Sequence, residues 1–430
     1  MDKLAIIILI IKIFNHQIIS QLRNMVDHMK FQGKVLIIGG GIGGLALSLF
    51  LSKAGISSAV YEAFSYKEGV GGGLNLAPNG MNVLAALGLA EKTIACGSVA
   101  LEMCFRNERG RVLARFRNGS VEKYGQPAVS LTRSALYEVL RDEMNAQGIE
   151  INYEKRLKTI IQDTTKVVAH FADGTTAEGD ILIGADGVHS QTRRIILPNG
   201  PKPAYIGIIA AGGLVLESAV PFMSRRDKQS VNFTYGPNGF FGYMGVHDGD
   251  AMWWSNIPNE KELTREELAA LSLEAIKKDM LAIYNGYHEP IETLIANTLS
   301  PVKINISDIQ FLPKWHEGRV LLIGDAAHAV SPNAGQGASM ALEDAMCLAK
   351  LLRDLPGDYE QVFAKFETDR KPRVEKIVAE GRQRGQDKQV VTPFQSKIRE
   401  IMMMIFVNLF GESGQDWLYK YEINWDEKSG

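Results

Sequence analysis

The sequence predicts an α/β fold: a Rossmann-like dinucleotide-binding domain, an antiparallel-sheet substrate domain interleaved with it, and helices at the C-terminal end. Three observations predict it. Short, continuous apolar runs ended by glycine recur at residues 34–38 (KVLII), 180–185 (DILIGA) and 319–324 (RVLLIG), the pattern of parallel strands buried on both faces. Residues 204–256 instead alternate apolar and polar positions between Gly-rich turns, which is antiparallel patterning. From Ala338 onward the chain reads as mostly helical.

At 430 residues the chain is too long for one core of ordinary size, so two subdomains are expected, and no low-complexity linker or internal repeat separates them. The segments 32–98, 125–203 and 300–352 are assigned to the dinucleotide-binding domain, 99–124 and 204–299 to the substrate domain, and 353–430 to a C-terminal helical region. Residues 1–31 are read as an extension. Their apolar run, residues 4–14, is interrupted by Lys12, falls well short of the ~20 residues a spanning helix needs, and lacks a small-residue cleavage site. A start at Met25 or Met29 and a short membrane-anchoring helix are the two readings of this extension.

Composition narrows the function. With 47 Lys plus Arg against 49 Asp plus Glu, 46% hydrophobic and 22% charged residues, nothing in the balance points to nucleic acid. Cys96, Cys104 and Cys347 are odd in number and widely spaced, which suggests neither a disulfide framework nor a zinc site and fits a reducing, cytoplasmic compartment. No His/Cys/Asp/Glu spacing reads as a metal site.

The first strand leads into Gly39-Gly40-Gly41-Ile42-Gly43-Gly44, which satisfies GxGxxG. Gly39 serves a tight turn, Gly41 a close backbone approach to a pyrophosphate, and Gly44 close helix-to-strand packing. Ile42 and Gly43 open a helix over residues 42–54 that stops at Gly55, and N–H groups at its start meet phosphate charge. Residues 58–62 form the next strand, and Glu62, 18 residues beyond Gly44, stands where an acid hydrogen-bonds a ribose. A βαβ unit in this context binds a dinucleotide; by itself it does not separate FAD from NAD. A second amphipathic helix is expected over residues 131–147.

Two further motifs close buried strands. Residues 184–190 (GADGVHS) are followed by Arg193 and Arg194; residues 324–328 (GDAAH) lead through 331–337 (SPNAGQG) into a helix carrying Glu343 and Asp344. Together with the fingerprint, these motifs resemble the single-component FAD-dependent aromatic hydroxylases, the flavoprotein monooxygenase family of 4-hydroxybenzoate, salicylate and urate hydroxylases. The resemblance runs from about residue 34 to about residue 384 and extends to residues 71–73, ending at Gly73, to 77–80 (APNG) and to Thr132-Arg133.

That resemblance implies a Rossmann-like FAD-binding domain and a set of roles. Asp325 would accept hydrogen bonds from the ribityl hydroxyls, its alternative role being a helix N-cap. Arg133 would contact the phosphate or ribityl side, its alternative role being an ordinary surface charge. Asp186 with Arg193 and Arg194 would either link FAD to nicotinamide-nucleotide binding or form a structural turn. Pro332, Gly335, Gly337 and Ala338 would bring backbone N–H groups close to the flavin ring, and the positive end of the following helix would favour negative charge on the reduced ring. The implied activity takes a hydride from NADH or NADPH, reacts with O2 through a flavin C4a-hydroperoxide, and hydroxylates a small aromatic or polycyclic molecule.

Other enzyme classes are weaker. Residues 253–258 (WWSNIP) partly match the WxWxIP of flavin-dependent halogenases, but Ser255 replaces the second Trp, which leaves epoxidation or halogenation by the same flavin type as the alternative. A flavin redox sensor or scaffold without turnover is a third class, opposed by Asp325 and the PNAGQG loop. Tyr235, Phe240, Phe241, Tyr243, Trp253 and Trp254 are either an aromatic substrate wall or core, and no residue is singled out as a catalytic base. Residues 398–410, containing IMMMIFVNLF, are too apolar for an exposed helix; burial in the cap, a dimer contact and a peripheral membrane contact are expected in that order, so the chain is either a monomer or a homodimer.

Overall fold

The computed structural model describes residues 31, 33–66, 72–309, 311–355, 357–386 and 392–428. The expectations placed on residues 1–30, with Met25 and Met29, and on Gly71 lie outside the described residues.

The three glycine-ended apolar runs become neighbouring parallel strands. A six-stranded sheet has the order His316–Glu317, Val320–Leu322, Ile181–Gly184, Val35–Ile38, Ser58–Tyr61, Ile151–Asn152. Its three central strands are buried along their whole length, so their Val, Ile and Leu side chains face the core on both sides. The helix Ile42–Ala54 follows the first strand and ends at Gly55 in the left-handed region, as the sequence predicts. The second helix spans Arg133–Ala146 rather than 131–147. Leu131 and Thr132 finish the strand Val129–Thr132, and the Thr132 hydroxyl caps the helix by accepting the Ala135 N–H.

A seven-stranded sheet has the order Val302–Asp308, Ala204–Val215, Ala251–Pro258, Gly239–Gly245, Ser230–Gly236, Glu102–Asn107, Val112–Arg117. It is antiparallel except where Ser230–Gly236 runs parallel to Glu102–Asn107. Val302–Asp308 falls on the FAD-binding side of the boundary expected at residue 300. It pairs instead with Ala204–Val215, because its own alternation fits an edge strand half exposed to solvent.

The C-terminal region is built on the helices Gly337–Asp354, Tyr359–Gln386 and Pro393–Met402. The chain then leaves helix: residues 420–428 form a strap, with the Trp425 ring tilted against Phe50, centroids 5.1 Å apart, and the Arg353 guanidinium over it. The expected burial of residues 398–410 in the cap is not met. Ile401, Ile405, Phe406, Leu409 and Phe410 are about half exposed or more, because only one side of this helical segment has a neighbour. Among the described residues no helix is long and apolar enough to cross a membrane.

Candidate active site

Register fixes where the site lies. Ile38 pairs with Tyr61 on one side and Gly184 on the other, and Gly184 pairs with Leu322, so four parallel strands end level. The segments that follow them, residues 39–44, Glu62, 185–190 and 323–328, therefore emerge at one edge, where open α/β sheets bind ligands.

Two fingerprint glycines are required by contact. Gly39 has φ +110°, and a Cβ there would lie 2.3 Å from the Ala185 carbonyl oxygen; at Gly44 it would lie 2.0 Å from the Gly39 carbonyl oxygen. Above Gly41, by contrast, a Cβ would meet nothing within 4 Å. The helix Ile42–Ala54 starts beneath that opening with no side-chain cap, so its first N–H groups face the space an anion would fill. Ile42 is buried, and Gly43 lies against Ala341 of the Gly337–Asp354 helix. Glu62 is tied to the same turn: its carboxylate accepts the Gly40 N–H at 2.8 Å and the Phe64 N–H at 3.0 Å.

Asp186 is a helix cap. One oxygen accepts the Ser190 hydroxyl (2.5 Å), the other the Gln191 N–H (2.8 Å), the Thr192 N–H (2.9 Å) and the Thr192 hydroxyl (3.0 Å), at the start of Gln191–Ile196. Arg193 is buried and donates to the Ala326 (2.8 Å) and Val188 (2.6 Å) carbonyls, clamping two of the strand-end loops together, while Arg194 donates to Gln191 on the surface. These side-chain bonds form a structural turn.

Asp325 and Arg133 contrast with it. Asp325 follows Gly324, whose φ of +56° turns the chain out of the Val320–Leu322 strand, and its half-buried carboxylate accepts no hydrogen bond among the described residues. Arg133 is exposed; its backbone N–H donates to the Gly72 carbonyl, and its guanidinium has no partner among the described residues. Gly73 is held close to the seven-stranded sheet, since a Cβ there would collide with Met252 Sδ. An uncommitted carboxylate and an open glycine turn at this sheet edge, with an uncommitted guanidinium at the end of the Val129–Thr132 strand, fit a dinucleotide such as FAD.

The loop 331–337 reaches this edge from the other side. Pro332–Ala334 forms one 3-10 turn, Gly335 takes φ +63°, and the 18-residue helix Gly337–Asp354 begins at Gly337 and Ala338 without a side-chain cap. Three contacts pin the loop. Asn79 donates to Gln336 (2.9 Å), Asn256 of the seven-stranded sheet donates to Asn333 (2.6 Å), and Gly381 and Gly385 let the helix Tyr359–Gln386 lie against Ala334 and Asn333.

Beneath the loop lies a buried charge network that sequence reasoning did not assemble. Asp344 accepts the Gly324 N–H (2.9 Å) and Arg370 Nε (2.7 Å) and stands 2.6 Å from His328 Nε2. Glu343 accepts from Arg370 (2.7 Å), Arg373 (2.8 Å) and Asn79 (2.7 Å). Burial raises the Asp344 pKa, but His328 and Arg370 outweigh it and hold the group at about 2. Glu343 is likewise held below the usual carboxylate range, burial being outweighed by Arg370 and Arg373. The signal in the sequence was two adjacent acids inside an apolar helix and Arg370 with Arg373 one turn apart; only the fold pairs them.

The seven-stranded sheet sorts its aromatics by face. Phe241, Tyr243 and Trp253 point to the side packed with Tyr284 and the helices Leu273–Ile283 and Ile291–Ala296, so these three are core. Ser255 shares that side and bonds to the Tyr284 hydroxyl, leaving no room for the second Trp of a halogenase signature. Tyr235, Phe240 and Trp254 point to the opposite side, with Phe105 and Phe233 completing the group. Asn256 lies on this second face, opposite Phe240, and is the residue that touches Asn333.

A sequence profile described as the FAD binding domain matches residues 32–381. The chain is 31% identical over 347 residues to a 3-amino-4-hydroxybenzoate 2-monooxygenase from Streptomyces cremeus, covering 80% of this chain and 84% of that one. It is 31% identical over 365 residues to a 6-hydroxynicotinate 3-monooxygenase from Pseudomonas fluorescens, covering 80% and 89%. Among solved structures it is similar to Klebsiella pneumoniae HpxO complexed with FAD and uric acid, with a TM-score of 0.79, 26% identity, and coverage of 90% and 97%.

Proposed function

Because the chain belongs to the FAD-binding family of single-component aromatic hydroxylases, we propose that it hydroxylates a small aromatic or polycyclic substrate held against the face formed by Phe105, Phe233, Tyr235, Phe240 and Trp254. The balanced reaction takes substrate C–H, O2, NAD(P)H and a proton to substrate C–OH, water and NAD(P)+. The observation that carries the reading is the 2.6 Å bond from Asn256 to Asn333. It joins the aromatic face to the loop whose backbone the family resemblance assigns to the flavin.

FAD, when bound by these residues, would supply the redox chemistry of hydride acceptance and oxygen activation. The protein's residues do the rest. Gly39, Gly41 and the start of the Ile42–Ala54 helix receive the pyrophosphate, and Glu62, which already holds Gly40, keeps lone pairs free for a ribose. Asp325 and Arg133 offer a carboxylate and a guanidinium to hydroxyls and phosphate. Asp186 contributes by capping, which holds the strand-end turn against Gly39. The uncapped start of Gly337–Asp354 favours negative charge beside Pro332, Gly335, Gly337 and Ala338. The aromatic face excludes water and orients a flat substrate by stacking.

The test is a panel of aromatic and heteroaromatic compounds with the FAD-loaded protein. Expected are substrate-stimulated NAD(P)H oxidation and incorporation of one atom from isotopically labelled dioxygen into the product. No stimulation by any compound would favour the scaffold reading; chloride-dependent halogenated product would favour the halogenase. Trp254→Ala should raise KM for an accepted substrate roughly tenfold or more while flavin content is retained, since an aromatic wall and its stacking are removed. An unchanged KM would remove Trp254 from the substrate wall.

A further inference from the structure

We infer that the C-terminal helical segment is a docking surface for an anionic lipid membrane, on which this enzyme lies without spanning it. Two observations carry it: an apolar stripe left facing solvent on a helix whose other side is fastened, and the basic character of the hairpin to which that other side is fastened.

The helix Pro393–Met402 continues through Met403–Val407 to Phe410. One side follows the hairpin of Glu102–Asn107 and Val112–Arg117. Asn107 donates to Glu400 (3.4 Å), Arg111 to Met404 Sδ (3.9 Å), the Arg115 N–H to Asn408 (3.3 Å) and Asn408 to the Leu113 carbonyl (3.1 Å). These contacts are spread over two helical turns, so the segment cannot roll to bury its other side. That side carries Phe394 (72% exposed), Ile398, Ile401, Ile405, Phe406 and Leu409 (67% exposed). Contiguous apolar surface of this kind marks an interaction site.

Charge selects the occupant. Residues 105–117 (FRNERGRVLARFR) hold five Arg against one Glu; Arg106 and Arg115 are paired with Asp227 and Glu102, while Arg111, Arg117 and Arg109, the last 3.7 Å from Glu108, are exposed, as is Lys397 on the helix. Apolar side chains flanked by cations on a segment lying flat are the signature of an interfacial helix, with acyl chains receiving the stripe and headgroup phosphates the arginines. A second copy fits less well, because a two-fold contact would set one basic rim against another.

The experiment is sedimentation of the full-length, FAD-loaded protein with two kinds of vesicle: phosphatidylcholine mixed with phosphatidylglycerol, and phosphatidylcholine alone. Binding is expected to the anionic vesicles and to weaken as salt is raised. The triple variant Phe394→Ser/Ile401→Ser/Leu409→Ser should keep its flavin and fold, since all three side chains face solvent, and lose binding at least about tenfold. Arg109→Glu/Arg117→Glu should weaken binding to anionic vesicles roughly tenfold or more. Undiminished binding by the triple variant would overturn the proposal and point to residues 4–14. Absence of binding, or a dimer in light scattering that the triple variant abolishes, would overturn it in favour of a protein contact.

Discussion

Asp344→Ala will destabilise the folded protein by about 3–5 kcal/mol, the magnitude expected when one partner of a buried ion pair is removed and the other stays buried. Asp344 is fully buried, and its loss leaves Arg370, also fully buried, with Glu343 alone, while the Gly324 N–H and His328 lose their acceptor. The pH dependence has a definite sign. A carboxylate whose folded pKa is depressed stabilises the fold above its unfolded pKa of about 4, and that stabilisation is lost as pH falls toward the folded value. Asp344 is held at about 2. The stability gap between wild type and variant in urea should therefore be widest above about pH 5 and narrow steadily toward about pH 2. A variant within about 1 kcal/mol of wild type at neutral pH, or a gap of constant size between about pH 6 and pH 3, would show that Asp344 does not hold this network together.

Asp325→Ala will release flavin with little effect on the stability of the apoprotein. Its carboxylate makes no hydrogen bond among the described residues, so truncation leaves no protein donor stranded. If it accepts from the cofactor as proposed, losing charge-assisted bonds of about 1.5–3 kcal/mol weakens FAD binding by roughly 10–100-fold. The measurement is titration of apoprotein with FAD, alongside flavin absorbance of the purified variant. Asp325→Asn, which keeps an acceptor without the charge, should fall between the two. Wild-type affinity in the alanine variant would sink the assignment.

The two variants together separate positioning from binding. Asp344 holds the backbone of Gly324 immediately before Asp325, so its loss should lower stability and flavin affinity together, whereas Asp325→Ala should lower affinity alone.

What the sequence determined was local. Residues 35–38, 181–184 and 320–322 are short runs without a polar side chain, the pattern of strands buried on both faces, and the glycines that end them fix where the chain turns. Gly39 and Gly44 carry their own steric reason, a neighbouring carbonyl where a Cβ would sit. The fingerprint, the GDAAH turn and the PNAGQG loop were therefore legible, and with them the family.

Tertiary structure decided whatever depends on partners distant in sequence. Alternation in residues 230–258 announces two faces, but that Phe240 and Trp254 look toward Asn333 while Phe241 and Trp253 look toward Tyr284 follows from what packs on each side. Asn79 meets Glu343 across 264 residues and Gln336 across 257, separations over which no periodicity carries information. For the same reason neither the cap that Asp186 forms nor the pairing of Val302–Asp308 with Ala204–Val215 could be read from the sequence. Residues 398–410 show the limit most directly: their apolar character was plain in the sequence, but whether protein covers them depends on the surface opposite. That surface, the basic hairpin of residues 102–117, takes only one side of the helix.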